Sequence, residues 1–448
     1  MSVAPEVASD QNEAPVGAAA REGAGAYRWY VIALLTASYA THTFDRNVVN
    51  TLVEPIKHEF HASDSALGFM TGLAYAAPFA LAGLPLGALV DRVRRQRLLA
   101  GLLLVWSGMT ALGGVCQSFV ALLFSRAAVG AAESGSPPTA LALVSDYFPP
   151  RLRAFATSIY YVGAPIGAVT GVYITALITA EHGWRVALFI AGVPGALLAL
   201  LIFFTVREPG RGGLDAVRSE GSPSFLSVFG LIGRNAGLFL ILAALVAGAM
   251  AQVGIGAWMQ AVLLRSYHLP MKEVGALSGI SGAFSAAGAF LGGVLGNVVA
   301  KGRTERLLVI CGVSILAAIP FTLMVLLGAG GPLNLVPFFA TALLNPVYYG
   351  PGFSLMLSLA PATMRGRMMA VTLVVSNILG AGIGPQIIGW ISDYLATRHD
   401  PLALPHATAC LTVAGVTAGL LFLVAIAFAP RGLTQPLDTG TSKARTPA

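Results

Sequence analysis

The sequence predicts an all-α membrane protein built from two six-helix bundles that an internal repeat relates. The chain has 448 residues, of which 56% are hydrophobic and only 10% are charged, whereas soluble domains carry about 25% charged residues. Twelve apolar segments are long enough to cross a bilayer, at roughly 20 residues per crossing. Short motifs recur at matching places in the two halves, so we expect two pseudo-symmetric bundles of six transmembrane helices each.

The repeat is visible at two places. Gly87-Ala-Leu-Val-Asp91 follows the second apolar segment, and Gly293-Val-Leu-Gly-Asn297 follows the eighth. A pair of arginines precedes both the fifth and the eleventh segments, in Arg151-Leu-Arg153 and Arg365-Gly-Arg367. Secondary transporters built from such repeats bind their ligand between the repeated units. We therefore expect a ligand site between the two bundles.

The apolar segments set the domain boundaries. Disordered cytoplasmic tails are expected over 1–27, which lacks the apolar core of a signal peptide, and over 431–448. The first bundle is expected over 28–206 and the second over 226–430, joined by a charged cytoplasmic linker over 207–225. The predicted spans are 28–53, 65–90, 97–117, 120–147, 154–180, 184–206, 235–264, 272–300, 306–328, 333–362, 366–393 and 404–429.

The positive charges orient the chain. Twenty of the 27 Lys and Arg residues fall in segments that are cytoplasmic if the N-terminus is cytoplasmic, and five fall outside. Cytoplasmic loops carry the excess of Lys and Arg in membrane proteins. The distribution therefore predicts cytoplasmic N- and C-termini and an integral protein of a bacterial inner (cell) membrane. It also explains the net charge of +7 without a nucleic-acid partner.

Motifs for chemical catalysis are absent from the sequence. It contains no GxxxxGK[ST] loop for ATP phosphates, no HExxH, no GxSxG and no CxxC pair. The three cysteines lie far apart in separate apolar stretches. We therefore expect no enzyme activity, no metal and no cofactor, and a transport process that draws on an ion gradient, with protons as the coupling ion.

Charged residues inside the predicted spans are the candidates for coupling. Asp45, Arg46, Arg126 and Glu133 lie well within spans of the first half, and the second half has none. Each costs about 2.5–3.5 kcal/mol on insertion scales, so each is a functional candidate. His42 precedes Asp45 by three residues, which adds a titratable group to the same helix face. We assign proton coupling to Asp45, Arg46, Glu133 and His42.

Two interpretations of this cluster stay open at the level of sequence. In the first, Arg46 pairs alternately with Asp45 and Glu133, and proton uptake by a carboxylate switches the pairing. In the second, the charges form a static salt-bridge network that locks two helices together. The switch is favoured because both carboxylates lie where a central cavity is expected, and buried ion pairs in any case contribute little net stability.

Polar and aromatic groups in both halves are candidates for the substrate cavity. Any one of them, taken alone, is more typical of helix packing or of the membrane interface. Together they predict a cavity with one polar end and a large apolar wall, lined by Arg126, Asn50, Gln252, Trp258, Gln260, Asn345, Tyr348, Tyr349 and Phe353.

At two motifs the sequence resembles the major facilitator superfamily. Gly87-Ala-Leu-Val-Asp91-Arg92-Val-Arg-Arg95-Gln-Arg97 resembles its signature between the second and third spans, and Arg126-Ala-Ala-Val-Gly130 its signature in the fourth. The resemblance implies the major facilitator fold. It also implies a cytoplasmic gate in which Asp91 docks on the start of the eleventh span, with gating residues Gly87, Asp91, Arg92, Arg95, Arg365 and Arg367.

Within that superfamily the chain resembles the spinster-like branch. The stretches that carry this are Phe44-Asp45-Arg46, Glu54-Pro-Ile-Lys-His-Glu-Phe60, Glu133-Ser-Gly135, Asp146-Tyr-Phe-Pro-Pro150, Gly384-Pro385 and Ser392-Asp393. The branch implies export of lysophospholipids and sphingoid-type amphiphiles, with proton coupling in some members. His42 and Asn297 depart from its pattern.

The sequence therefore predicts a proton-coupled secondary transporter that works by alternating access and exports lysolipid- or sphingoid-like amphiphiles. Its expected partners are membrane lipid and a small amphipathic substrate, and the expected state is a monomer. A multidrug/proton antiporter of the same fold is the nearest alternative. An importer of a small organic anion and a non-transporting membrane sensor are weaker ones.

Overall fold

A computed structural model describes residues 16–90, 92–208, 225–301, 303–361 and 364–428. The regular structure of this part of the chain is helical. In the first lobe the helices are α1 Val16–Thr51, α2 Val53–Phe60, α3 Asp64–Thr71, α4 Leu73–Val90, α5 Arg95–Gly113, α6 Phe119–Glu133, α7 Ser136–Tyr147, α8 Pro150–His182 and α9 Trp184–Thr205. In the second lobe they are α10 Phe225–Arg234, α11 Ala236–Arg265, α12 Met271–Val298, α13 Thr304–Leu327, α14 Leu335–Leu344, α15 Tyr349–Leu359, α16 Arg365–Val375, α17 Ile383–Thr397, α18 Ala403–Cys410 and α19 Thr412–Val424.

Eight stretches of the described chain are long and apolar enough to cross a membrane by length and composition. They are Asp64–Val90, Arg151–His182, Trp184–Thr205, Ala236–Arg265, Met271–Val298, Thr304–Leu327, Arg365–Thr397 and Ala403–Phe428. The four other predicted spans coincide with α1, α5, the α6–α7 pair and the α14–α15 pair. The number twelve therefore stays a prediction, while the protein is an integral membrane protein.

Two domain boundaries differ from the sequence-based ones. Helix α1 begins at Val16, inside the predicted tail, because the alanines that follow favour a helix and no proline interrupts them. Helix α10 follows the predicted linker and was not predicted as a separate element. Residues 1–15, 209–224 and 429–448 lie outside the described residues, and with them the C-terminal tail and most of the linker.

Several transmembrane stretches are broken near the middle. Helix α6 ends at Glu133, and α7 starts at Ser136 with prolines directly after it. Proline lacks the N–H that an interior helix position must donate. Residues Ser376–Gly382 form a π-helical turn between α16 and α17. Such turns inside α-helices occur frequently at functional sites. The π-helical turn is therefore a candidate functional element of the second lobe.

Buried side chains form cores that differ between the two ends of the bundle. The largest shared core joins the lobes and includes Val53 and Leu67 of the first with Trp258 and Leu404 of the second. Two further cores each lie within one lobe, one over residues 31–206 and one over residues 228–425. We call the end with the shared core the outer end, because the charge distribution predicts that it faces away from the cytoplasm. The lobes are closed against each other there.

A network of charged groups holds the lobes together at the outer end. Arg265 of α11 donates to Asp64 of α3 at 2.8 Å and to Glu54 of α2 at 2.5 Å. The side chains of Asp64 and Glu54 are only 4% and 11% exposed. Lys57 and Ser392 also donate to Asp64, at 2.5 and 2.6 Å. We call Glu54, Lys57, Asp64, Arg265 and Ser392 the outer latch.

A helix cap strengthens the latch. Both carboxylate oxygens of Asp393 in α17 accept from the backbone N–H groups of Asp64 and Ser65, each at 2.9 Å. These N–H groups belong to the first turn of α3, where no helix carbonyl is available and a negative charge is favoured. Gln386 donates to the Ser65 carbonyl at 2.9 Å. The second lobe therefore completes the N-terminus of a helix in the first.

Glycines allow the close approach of helices that these contacts require. A Cβ placed on Gly72 would lie 2.2 Å from the carbonyl oxygen of Gly382, which belongs to the other lobe. A Cβ on Gly167 in α8 would lie 1.9 Å from the carbonyl oxygen of Ala40 in α1. Gly167 of α8 thus allows close packing on α1 of the same lobe, whereas Gly72 brings the α3–α4 junction against the π-turn of the other lobe. Helix α8 also packs across the lobes, since a Cβ on Gly275 of α12 would lie 2.4 Å from Ala176 Cβ.

A second ion pair at the outer end lies within the first lobe. Glu59 accepts from Arg185 Nη2 at 2.5 Å and from Trp184 Nε1 at 2.6 Å. The hydrogen bond from Arg185 is the main reason why the pKa of Glu59 lies below its usual value. A carboxylate whose pKa is lowered by folding contributes stability above the pKa of the unfolded chain. That contribution is lost as the pH falls through the folded-state pKa.

We expect Glu59→Gln to lower the melting temperature of the purified protein slightly at neutral pH and not at all well below about pH 4, the usual range of a Glu carboxyl. Exposed pairs of this kind contribute about 0.2–1 kcal/mol. Thermal unfolding of both proteins in detergent, across a pH series, measures the difference. An equal difference at every pH would show that charge is not the cause.

Candidate coupling site

Three helices of the first lobe bring polar groups together in its interior. Asp45 and His42 come from α1, Thr110 from α5, and Arg126 and Glu133 from α6. All five are at most 6% exposed. Glu133 is fully buried, at the end of α6 where the helix breaks. A charged group in such surroundings requires partners.

The carboxyl group of Asp45 has three neighbours. Thr110 Oγ1 lies 2.8 and 2.7 Å from its two oxygens. Arg126 Nη1 lies 3.9 Å from its Oδ2, which makes a loose ion pair. The charge of Glu133 also acts on Asp45, since both carboxyl groups are buried in the same cluster. Like charges that are buried close together disfavour each other, and a proton on either carboxyl group relieves the repulsion.

Glu133 is held by a residue that the sequence did not point to. Tyr75 Oη of α4 donates to Glu133 Oε2 at 2.5 Å. His42 Nδ1 lies 3.3 Å from the same oxygen, but its geometry leaves it without a hydrogen bond. The other oxygen of Glu133, Oε1, is buried and has no partner among the described residues. Glu133 therefore has one strong donor and unused acceptor capacity.

The two arginines occupy different places from those expected. The sequence predicts that Arg46 pairs with the carboxylates and that Arg126 lines the cavity, but the guanidinium beside Asp45 belongs to Arg126. Arg46 is half-buried and lies over the ring of Tyr75, with Cζ 5.4 Å from the ring centroid. Arg126 lies at 5.6 Å from the same ring. Adjacent helix positions diverge by about 100°, so Arg46 does not reach where Asp45 points.

Tyr75 and Thr110 are the two site residues that sequence reasoning missed. Neither stands out, because an isolated tyrosine in an apolar span is typical of packing. A threonine hydroxyl can also bond to a carbonyl of its own helix. Only the fold places them against Glu133 and Asp45.

The predicted cavity residues divide into two groups. Half-buried positions are Asn50, Gln252, Asn345, Tyr349 and Phe353. Tyr349 stacks on Phe353, with ring centroids 6.1 Å apart. The charge of Arg46 also acts on Tyr349, across the boundary between the lobes. Because these five side chains are half-buried, they can line a cavity.

The other predicted cavity residues are buried in this conformation. Trp258 is 1% exposed, and its Nε1 donates to the Pro385 carbonyl at 3.0 Å. It therefore packs in the core that joins the lobes instead of lining a cleft, and its indole N–H is satisfied by the second lobe. Tyr348 is also 1% exposed and donates to Gln252 at 3.4 Å. Gln260 is 8% exposed.

The predicted cytoplasmic gate is only partly described. Asp91, its central residue, lies outside the described residues. Arg95 forms an ion pair with Asp146 of the same lobe, and Glu208 accepts from the backbone N–H of Arg95 at 3.0 Å. Arg365 donates to the Ala360 carbonyl at 3.4 Å. Of the other gate positions, Arg92 is exposed, whereas Gly87 and Arg367 are half-buried.

The sequence and fold of the chain match those of known proteins. The Major Facilitator Superfamily profile matches residues 35–385. An MFS-type efflux pump of Mycolicibacterium smegmatis is 26% identical over 387 residues, which cover 86% of this chain and 89% of the relative. Protein spinster homolog 1 of Homo sapiens is 27% identical, covering 83% and 74% of the two chains. Sphingosine-1-phosphate transporter SPNS2 of Danio rerio is 26% identical, covering 88% and 83%.

A solved structure extends the likeness to the fold. The crystal structure of a bacterial homolog of the human lysosomal transporter Spinster, in an inward-facing and unoccupied conformation, matches with a TM-score of 0.77. The two chains are 24% identical, and the match covers 90% of this chain and 97% of that one. The predicted all-helical major facilitator fold is confirmed. This chain belongs to the major facilitator superfamily of membrane transporters, in its spinster-like branch.

Proposed function

We propose that the chain is a proton-coupled transporter that works by alternating access and exports lysolipid- or sphingoid-like amphiphiles. The observation that carries the coupling is the burial of two carboxyl groups, those of Asp45 and Glu133, in one cluster beside Arg126 and Tyr75. Like charges this close disfavour each other, and one proton relieves the repulsion. A site of this kind takes up and releases protons as its surroundings change.

Coupling requires that the proton changes the energy of one conformation relative to the other. Two guanidiniums, of Arg46 and Arg126, lie over the ring of Tyr75, and Arg126 also pairs loosely with Asp45. When one of the two carboxyl groups takes up a proton, less negative charge remains to neutralise the two arginines. The arginines then change partners and the network rearranges. Water reaches the site from one side at a time, so uptake and release occur on opposite sides. His42 lies close enough to Glu133 to take part in this exchange.

The amphiphilic substrate is supported by the unequal chemistry of the lobes. The titratable cluster sits in the first lobe, while the half-buried aromatic rings of Tyr349 and Phe353 sit in the second. A molecule with a polar head and an apolar tail fits this division. Relatives of the chain carry the names spinster homolog and sphingosine-1-phosphate transporter. We place the protein in a bacterial cell membrane, as a monomer with both termini in the cytoplasm.

A second candidate substrate class has its own support. The relative from Mycolicibacterium smegmatis is named an MFS-type efflux pump, so a multidrug/proton antiporter would use the same fold and coupling site. In that case cationic drugs would compete with each other for transport, and lysolipids would not inhibit it.

Purified protein in liposomes tests the proposal. A pH step across the membrane should drive the transport of radiolabelled lysophosphatidylethanolamine or sphingosine, and ethidium serves as the multidrug probe. A pH indicator inside the liposomes should report a proton flux that depends on the substrate. Transport that ignores the pH step would overturn the coupling, and transport of ethidium alone would overturn the amphiphile assignment.

A further inference from the structure

Tyr75 occupies the position between the titratable cluster and the second lobe. We propose that it is a positioning residue that couples the protonation of Glu133 to the contact between the lobes at the outer end. This inference rests on the proposed proton-coupled function. It assigns a role to a residue that neither the sequence motifs nor the charge pattern singled out.

The side chain of Tyr75 is fixed by three groups of the cluster. Its hydroxyl donates to Glu133 at 2.5 Å, and it is only 4% exposed. The guanidinium carbons of Arg46 and Arg126 lie 5.4 and 5.6 Å from the ring centroid. Cations at this distance are attracted by the ring. The position of the ring therefore responds to the charges of α1 and α6.

The backbone around Tyr75 touches the second lobe. A Cβ on Gly382, in the π-helical turn, would lie 3.0 Å from Leu73 Cδ2 and 3.2 Å from Ala76 Cβ. Gly72, where α3 and α4 meet, lies against the Gly382 carbonyl. Helix α4 thus carries the proton site's hydrogen-bond donor and, within one turn, the contact with the other lobe. A helix transmits a shift between such neighbouring points because it is stiff over this length.

The proton changes the hold that Glu133 has on Tyr75. Arg46 and Arg126 are the other charged groups that face Tyr75, whereas His42, Asp45 and Arg126 face Glu133. A hydrogen bond to a carboxylate is roughly twice as strong as one to a neutral carboxyl group. Protonation of Glu133 therefore weakens the bond while both arginines stay charged. The tyrosine hydroxyl keeps its own proton throughout.

Tyr75→Phe removes the hydroxyl group and keeps an aromatic ring next to both arginines. The matched control is Tyr160→Phe, because Tyr160 is also fully buried in the first lobe and its hydroxyl has no hydrogen-bond partner among the described residues. Spin labels on His58→Cys and Ala396→Cys, in a protein without its native cysteines, report the distance between the lobes at the outer end. Both positions are exposed and belong to different lobes.

We expect the distance distribution of the labelled wild type to change with pH in lipid nanodiscs. Tyr75→Phe should move the midpoint of that change to more alkaline pH by about one unit, because the carboxylate loses a charged hydrogen bond. Tyr160→Phe should leave it unchanged. In a Glu133→Gln background, Tyr75→Phe should have no further effect on the pH response.

The outcomes separate this inference from the proposed function. If the wild type shows no pH response, proton coupling fails and the role of Tyr75 fails with it. If the wild type responds and the Tyr75→Phe curve coincides with it, only the role of Tyr75 is refuted. A shift of equal size in Tyr160→Phe would also refute it, because the loss of any buried hydroxyl would then suffice.

Discussion

Asp45→Asn and Glu133→Gln are each expected to abolish transport driven by a pH gradient. An amide has nearly the shape of a carboxyl group but takes up no proton at any pH in this range. The carboxyl groups of Asp45 and Glu133 are buried in the same cluster, so the loss of either one leaves a single acid without the neighbouring charge that shifts its proton affinity. Gradient-driven uptake in liposomes should fall to the level of protein-free vesicles.

Substrate exchange without a gradient is the internal control for these variants. It requires binding and lobe movement but no net proton transfer, so it should persist. Glu181→Gln is the matched acid-to-amide control, because Glu181 is exposed and pairs with Lys272 at the outer end. Full gradient-driven transport in both site variants would remove the carboxyl pair from the mechanism.

Arg265→Ala is expected to shift the protein from the outer-closed toward the outer-open conformation. The substitution leaves Glu54 and Asp64 of the outer latch buried without their shared cation. Breaking a buried ion pair costs up to about 3–5 kcal/mol, and less here because Lys57 still contacts Asp64. A loss of only about 1.4 kcal/mol in the stability of the outer-closed conformation raises the ratio of outer-open to outer-closed protein tenfold. In the outer-open conformation water solvates both carboxylates, which removes the free-energy cost of burying them without Arg265.

The labelled pair at positions 58 and 396 measures this shift directly. The distance between the lobes should lengthen in Arg265→Ala at constant pH. Arg185→Ala is the matched control, because Arg185 bonds Glu59 at the same end but within one lobe. An unchanged distance in Arg265→Ala, or an equal change in Arg185→Ala, would show that the latch does not hold the lobes together.

Composition and the pattern of apolar segments predicted the all-helical membrane fold correctly, because membrane insertion depends on local properties of the chain. The apolar segments around Leu200 or Leu316 are recognisable without knowledge of their neighbours. The same reasoning located Asp45 and Glu133, since a charge inside an apolar segment is visible in the sequence alone. The partners of their carboxyl groups, Thr110 and Arg126 for Asp45 and Tyr75 for Glu133, were not predicted, because they depend on how the helices rotate against one another.

Residues whose role depends on a partner far away in the sequence could not be predicted from the sequence. Asp393 and Glu54 appeared only within stretches that resemble the spinster-like branch, and nothing local indicates that they join the lobes. Tyr75 has an apolar setting in the sequence, and its partner lies 58 positions away. The helix start at Val16 was missed for a different reason, since an alanine-rich segment is compatible with both a tail and a helix.

Infrared difference spectroscopy of the protein in lipid tests the central claim most directly. The spectrum of a protonated carboxyl group is distinct from that of a carboxylate, and acidification of the buffer should reveal a band from the buried pair. The account predicts that this band appears in the wild type as the pH falls through the range in which transport is active. It also predicts that the band is lost in Asp45→Asn and in Glu133→Gln. A wild-type spectrum in which no buried carboxyl group changes its protonation across that range would contradict the account.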